Sequence, residues 1–351
     1  MIRRWRAEST DAAERGRAYG RAWRAELRVS LAEYSELFDR LAFAPDAVSR
    51  VVDGALAQTA EHAPGVLDEL VGVADGAEMT IAEIMTLNAR TEVLALQKPE
   101  GGECSTAVFL PADGPPRTIQ TWDWLDALSA DNLVRSHIAS DGRRVVTFAE
   151  FGQAAKIGVN SRGLGAHFNI LHHASDGAGA GLPVHILARR ILDEASTVDE
   201  AVAIAEAVPL SASTVITLVT RDRAVCVELA PSGIAVIDAV PGQLLAHTNH
   251  FIDDGLSAGE VTVYASTTAE RLACLTDHAD KIAVPTGLER ALALGAVPDA
   301  PISMRPRPES PRHLQWASKA TITIDVAEPA IELHEGGPAE VTSEGWRRIE
   351  A

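Results

Sequence analysis

The chain has 351 residues, with 31 Lys and Arg against 49 Asp and Glu, a formal net charge of −18. Nucleic acids and anionic membrane surfaces are polyanions that need clustered basic side chains, so this balance argues against either as the main partner. Hydrophobic residues make up 46% of the chain and charged residues 23%, which is enough apolar side chain for a sizeable core and excludes global disorder.

The first residues, Met1 to Arg6, lead into Glu8, Asp11 and Glu14 instead of the apolar stretch of a secretory signal. No apolar run reaches the ~18 residues of a spanning helix, so a cytoplasmic protein is expected. From about Asp11 to Leu96 the chain is rich in Ala, Leu, Glu and Arg, with Leu27, Leu31, Tyr34, Phe38 and Leu41 at helical spacing. The early arginines Arg15, Arg17, Arg21, Arg24 and Arg28 read as a solvated helix face. A capping box, Thr80-Ile81-Ala82-Glu83, predicts a helix to about Leu96, ended by Pro99, Gly101 and Gly102.

After Gly102 the texture becomes β-rich. Strands are predicted at 105–110, 117–124, 144–151 and 156–171, the last with a Ser161-Arg162-Gly163 turn inside it. Helices follow at 183–194 and, from the second capping box Thr197-Val198-Asp199-Glu200, to Ala207. Further strands are predicted at 214–220, 224–229 and 234–239, a helical stretch at 266–282, a Pro-rich loop at 298–311, and a last hairpin at 321–326 and 330–334. Helices first, then many antiparallel strands with a few helices inserted, predict one large α+β domain over residues 1–351.

Chemistry is sought first at Cys104, which follows a Gly-Gly-Glu turn at the boundary between the helical and β-rich segments. By position alone it reads equally as a nucleophile and as a small hydrophobe packed in a sheet. Cys226 lies in a strand and Cys274 in a helical run, where inert buried thiols are expected, and no CxxC pair suggests a disulfide framework or structural zinc. His167, His172, His173, His247 and His250 show no ligand spacing, so no metal is expected. Gly177 to Gly181 lacks the GxGxxG order of a dinucleotide site and reads as a loop bordering a pocket.

Five segments carry a resemblance: Asn88-Ala89-Arg90-Thr91-Glu92; Glu103-Cys104-Ser105-Thr106-Ala107-Val108 with Thr121-Trp122-Asp123-Trp124 after it; Lys156 to Gly165; Asn169; and His247-Thr248-Asn249-His250-Phe251. In this order they resemble the isopenicillin N acyltransferase family of N-terminal-nucleophile hydrolases, down to a C-terminal hairpin closed by Gly336-Gly337-Pro338.

The resemblance implies an αββα four-layer sandwich with two antiparallel sheets. It also implies a precursor that cuts itself between Glu103 and Cys104, giving a helical chain of residues 1–103 and a nucleophile-bearing chain of residues 104–351. An α-amino group titrates near pH ~8, so the new terminus of Cys104 is a built-in base for its own thiol. By the same resemblance Asn249 is the oxyanion donor, and Asp123 holds the Cys104 ammonium or a substrate amine. Each has a plain alternative, a polar turn for Asn249 and a capping or turn aspartate for Asp123. Asn169, Trp122 and His250 are candidate substrate-binding residues. The Ser-Arg pair that some relatives place at the site falls near Ser318 and Lys319, and no role is assigned to either.

The expected activity is acyl transfer from an amide or an acyl thioester to water or an amine, through a thioester on Cys104. No cofactor is needed, acyl-CoA entering only as a substrate, and the partners are a small amide or acyl compound, the two chains of one precursor, and a second copy if the protein is a homo-oligomer. Two rivals stand beside this: a cholylglycine or penicillin amidase-like hydrolase, against which the helical leader counts, and an unprocessed protein that binds a small ligand.

Overall fold

The computed structural model describes residues 2–97, 104–128, 132–263, 266–307, 309 and 315–351. The N-terminal part is helical as its periodicity requires: α1 Ala12–Ala22, α2 Arg24–Arg40, α3 Pro45–His62, α4 Pro64–Ala77, α5 Ile81–Asn88 and α6 Arg90–Leu94. Local chemistry sets the boundaries. Asp11 caps α1 by accepting from the Glu14 N–H, Pro45 and Pro64 open α3 and α4, and both halves of the Thr80 box are made. The helix expected over 80–96 breaks at Ala89, which ends α5 and starts α6.

Two sheets follow. An eight-stranded sheet runs β1 (Arg3–Arg6), β4 (Asn132–Ile138), β5 (Arg144–Glu150), β6 (Ile157–Asn160), β7 (Gly165–Ile170), β8 (Thr214–Val219), β9 (Ala224–Ala230), β10 (Gly233–Asp238) in spatial order. A six-stranded sheet has the order β11 (Leu244–His247), β2 (Cys104–Phe109), β3 (Arg117–Leu125), β12 (Trp316–Asp325), β13 (Ala330–Glu335), β14 (Arg347–Glu350). All neighbours are antiparallel except β1 and β4, which are parallel.

The sheets face each other, β2 against β7, β11 against β9, and β12 and β13 against β6. Helices α7 (Val184–Glu194) and α8 (Val198–Glu206) cover the larger sheet, while α10 (Thr268–Asp277), α11 (Ala279–Ile282) and α12 (Gly287–Gly295) cover the smaller. A short α9 (Asp254–Ser257) lies against β10. The architecture is the αββα sandwich. Among the described residues no helix is long and apolar enough to cross a membrane.

Three strands, β1, β4 and β14, and the helices α9 and α12 were not expected, and the helix at 266–282 is two helices. Of the arginines expected on a solvated face, Arg21 and Arg28 are exposed and Arg17 and Arg24 half-buried, but Arg15 is not solvated. Arg15 is buried, with its guanidinium on Glu69 of α4 at 2.7 Å, and Arg24 and Arg28 donate to the Gly76, Ala77 and Glu78 carbonyls at the end of α4. These contacts follow from how closely α1 and α4 approach. Gly16 and Gly20 of one meet Gly72 and Gly76 of the other, and a Cβ on Gly16 would stand 2.0 Å from the Glu69 carbonyl oxygen.

Glu69 is the ionic centre of this layer, reached also by Arg135 of β4 and by Arg189 of α7 at 2.8 Å. Burial penalises its charge, but the three guanidiniums hold its carboxyl well below the usual range. Arg189 continues to Asp193 at 2.8 Å, and Asp193 to His137 at 2.7 Å.

Two outcomes are expected. Glu69→Gln leaves the buried Arg15 and Arg135 without their anion, and Arg189 with Asp193 alone, and should lower stability by about 3–5 kcal/mol, read from the urea midpoint. Burial lowers His137 to about 4 and His167 to about 3. Both are neutral in the fold, whereas an unfolded histidine titrates near ~6.5. Stability is therefore whole above that value and falls as the pH drops from it towards 4. Thermal midpoints measured against pH should show the fall, and His167→Gln should flatten it.

Candidate active site around Cys104

Cys104 is the first residue of β2 and 4% exposed. It pairs with Trp122 on β3, so both side chains lie on one face of the sheet, in the layer between the sheets. There the Trp122 ring meets Phe148 edge-on at 5.5 Å, and the Lys156 ammonium sits 4.0 Å over it. Burial pushes the Cys104 thiol up to about 12, and the Asp123 carboxylate adds to this; the Asp123 N–H, Lys156 and Arg271 pull it down. Glu103, and with it the bond before Cys104, lies outside the described residues.

The main chain of Cys104 is held at both ends. Its N–H donates to Oδ1 of Asn249 at 2.8 Å. Its carbonyl accepts from Nη1 of Arg271 at 2.6 Å and from Nδ2 of Asn169 at 3.2 Å. Arg271 also reaches Asn249 Oδ1 through Nη2 at 2.9 Å and Ser105 Oγ at 3.0 Å. Nδ2 of Asn249 donates to the Ile170 carbonyl at 2.8 Å. A guanidinium only donates and a carbonyl only accepts, so the Asn249 amide has one allowed orientation. One of its two N–H groups is committed to Ile170.

The Asn249 turn is fixed from behind. His247 sets Nε2 on Glu228 of β9 at 2.7 Å, and the same carboxylate accepts from the Ile252 and Asp253 N–H groups. Thr268, at the start of α10, accepts the Asn249 N–H at 2.8 Å and donates to Thr248. His250 belongs to this hydroxyl cluster, with Nδ1 2.9 Å from Thr268 Oγ1. Burial, and then His247, lowers its pKa.

Asn169 of β7 is a hub. Its Nδ2 faces the Cys104, His247 and Thr248 carbonyls, and its Oδ1 accepts from Thr106 at 2.6 Å and Gln120 at 3.3 Å. Its polar atoms are spent on joining β2, β7 and β11. Asp123 of β3 is fully buried and pairs with Ser318 of β12, whose hydroxyl donates to Oδ1 at 2.5 Å. The neighbour Lys319 turns instead to Asp126 at 2.9 Å.

Of the residues singled out from sequence, Cys104, Asn249, Asp123, Asn169 and Trp122 thus stand together, and His250 stands one step behind the Asn249 turn. Arg271 and Glu228 join them without having been expected, and Ser318, to which no role was assigned, stands there on Asp123. Arg271 did carry a signal: with Cys274 and Leu275 it lies at i, i+3 and i+4, a charged residue on the face of α10 that periodicity assigns to the core.

The family model described as acyl-coenzyme A:6-aminopenicillanic acid acyl-transferase matches residues 113–294, which hold Asp123, Asn169, Asn249 and Arg271. The chain is 30% identical over 201 residues to the 40 kDa form of acyl-coenzyme A:6-aminopenicillanic-acid-acyltransferase of Emericella nidulans. That match covers 56% of this chain and 55% of the relative, so the chain spans about half the length of this curated protein. Among solved structures it is similar to penicillin V acylase from Agrobacterium tumefaciens, at 17% identity and a TM-score of 0.38 over 70% of this chain and 86% of that one. It is also similar to a mutant of the conjugated bile acid hydrolase from Clostridium perfringens, at 12% identity and a TM-score of 0.46 over 70% and 92%. With a family model matched across more than half its residues, the chain belongs to the acyl-coenzyme A:6-aminopenicillanic acid acyl-transferase family.

Proposed function

We propose that this protein is an N-terminal-cysteine amidohydrolase or acyltransferase that activates itself by cutting before Cys104. The observation that carries the reading is the contact from the Cys104 nitrogen to Asn249 Oδ1. A cysteine kept for packing needs only its side chain placed, whereas here the nitrogen is held by a buried amide that is itself fixed on three sides.

In the cut, Cys104 Sγ attacks the Glu103 carbonyl carbon. The carbon–sulfur bond forms, the carbon–nitrogen bond breaks, and the thiol proton ends on the Cys104 nitrogen, now an amine. Water then hydrolyses the thioester, which releases the Glu103 carboxylate and restores the thiol. In turnover the amine takes the thiol proton, Sγ attacks an amide or acyl thioester, and the leaving amine or thiol departs with that proton. Water or an acceptor amine discharges the acyl group. The second N–H of Asn249 Nδ2 serves the oxyanion in each step, where preorganised donors act most strongly. Asp123, braced by Ser318, supports the terminus from the β3 side.

Towards substrate the uncut chain is silent because the Cys104 nitrogen is still acylated, while burial raises the thiol that this nitrogen would have to deprotonate. An amide nitrogen offers no base.

Intact mass of wild-type protein should give two fragments divided before Cys104, and Cys104→Ala should stay one chain that neither hydrolyses nor transfers acyl groups. Cleavage of the alanine variant at the same bond, or a wild type that remains whole, would reject the reading; the second outcome favours a binding protein. Asn249→Ala, assayed as cut protein against N-acyl amino acids, β-lactams and acyl-CoAs, should lose about 10²–10³ in kcat with a smaller change in KM.

A further inference from the structure

We infer that Arg271, given the self-cut terminus proposed above, is a positioning residue for the same chemistry: it grips Cys104 at its carbonyl and, through Asn249, at its nitrogen, and so keeps that nitrogen in the proton-accepting form. The geometry closes a ring. Nη1 lies 2.6 Å from the Cys104 oxygen, Nη2 lies 2.9 Å from Asn249 Oδ1, and that same oxygen lies 2.8 Å from the Cys104 nitrogen. Nε is tied to Thr267 Oγ1 at 3.1 Å and the side chain is fully buried, so the cation has one seat. A fixed positive charge one acceptor atom away disfavours a second positive charge on the amine.

Other charges face the terminus as well. Lys156, arriving ahead of β6, acts in the same sense, though its ammonium is paired with Glu150 at 2.6 Å. Asp123 on β3 acts in the opposite sense, with Ser318 on one of its oxygens. His247 and His250 flank the Asn249 turn, His247 against Glu228 of β9 and His250 against Thr268. Among these groups only Arg271 is hydrogen-bonded both to Cys104 and to the oxygen that Cys104 itself bonds. The two candidates near the C-terminus, Ser318 and Lys319, do not supply a guanidinium, and Arg271 does so from a different element.

The chain has three cysteines, so nitrogen-15 cysteine labelling gives the self-cut protein one amine signal beside two amides, and its shift can be followed with pH without any substrate. The wild-type amine should titrate clearly below the ordinary α-amino range of ~7.7–8.0. In Arg271→Gln, which keeps polar contacts and loses the charge, it should rise by about one unit, a tenfold loss of neutral amine on the acid side. Arg271→Lys should restore most of the shift. A purely structural arginine would change stability and leave the titration in place, so an unmoved midpoint in the glutamine variant overturns the inference. If that variant does not fold, a wild-type amine titrating at or above ~8 overturns it, and one titrating below 7 supports it. Failure of the self-cutting reading is told apart by mass, as a wild type with no chain beginning at Cys104.

Discussion

The side-chain amide of Asn249 can sit only one way round, and the site is organised by that constraint. Its oxygen collects the Cys104 N–H and the Arg271 guanidinium while its nitrogen binds the Ile170 carbonyl. Turned over, it would set donors against donors and an acceptor against an acceptor, in a place from which water is excluded. The supports behind it serve this orientation: Glu228 with His247 on one side, Thr268 with Thr248 on the other, and Asn169 beneath. Strands β2, β7 and β11 and helix α10 meet there, so the position of Cys104 depends on how both sheets and a helical layer come together.

Burying so many polar groups is costly unless they are paired, and the fold pairs them in clusters. Glu69 gathers Arg15, Arg135 and Arg189 between the helices and β4. Glu150 gathers Arg90, Lys156 and Tyr34 behind Trp122 and Trp124. Burial lowers Lys156 to about 8 despite its carboxylate partner, which shows how dry the layer beside Cys104 is. The same dryness raises the thiol.

Much of the fold was legible because it is local. Both capping boxes, the helical texture before Pro99 and the β-rich runs after Gly102 announce themselves within a few residues. Strands β1, β4 and β14 did not, and their sequences explain it. Arg3-Arg4-Trp5-Arg6 and Arg347-Arg348-Ile349-Glu350 are mostly charged strands at or near sheet edges. In β4 the residues that would mark a solvent face, Arg135 and His137, are buried against Glu69 and Asp193. Arg15 of α1 misleads for the same reason, since a charged residue reads as solvated until its distant partner is known.

The amino-acid sequence by itself determined that a helical segment precedes a β-rich one, where the two capping boxes start helices, that Cys104 stands at the boundary, and, through ordered motifs, which family the chain joins. These depend on neighbours a few residues apart, or on patterns that survive in order along the chain. Only the tertiary structure decided that Arg271 and Ser318 stand at the site, that Asn169 is spent on scaffolding, and that Arg15 is a core residue. Those roles are set by partners separated by 54 to 195 positions. A hydrogen bond or an ion pair is sensitive to distance and angle alone, and sequence spacing carries no record of either across such separations.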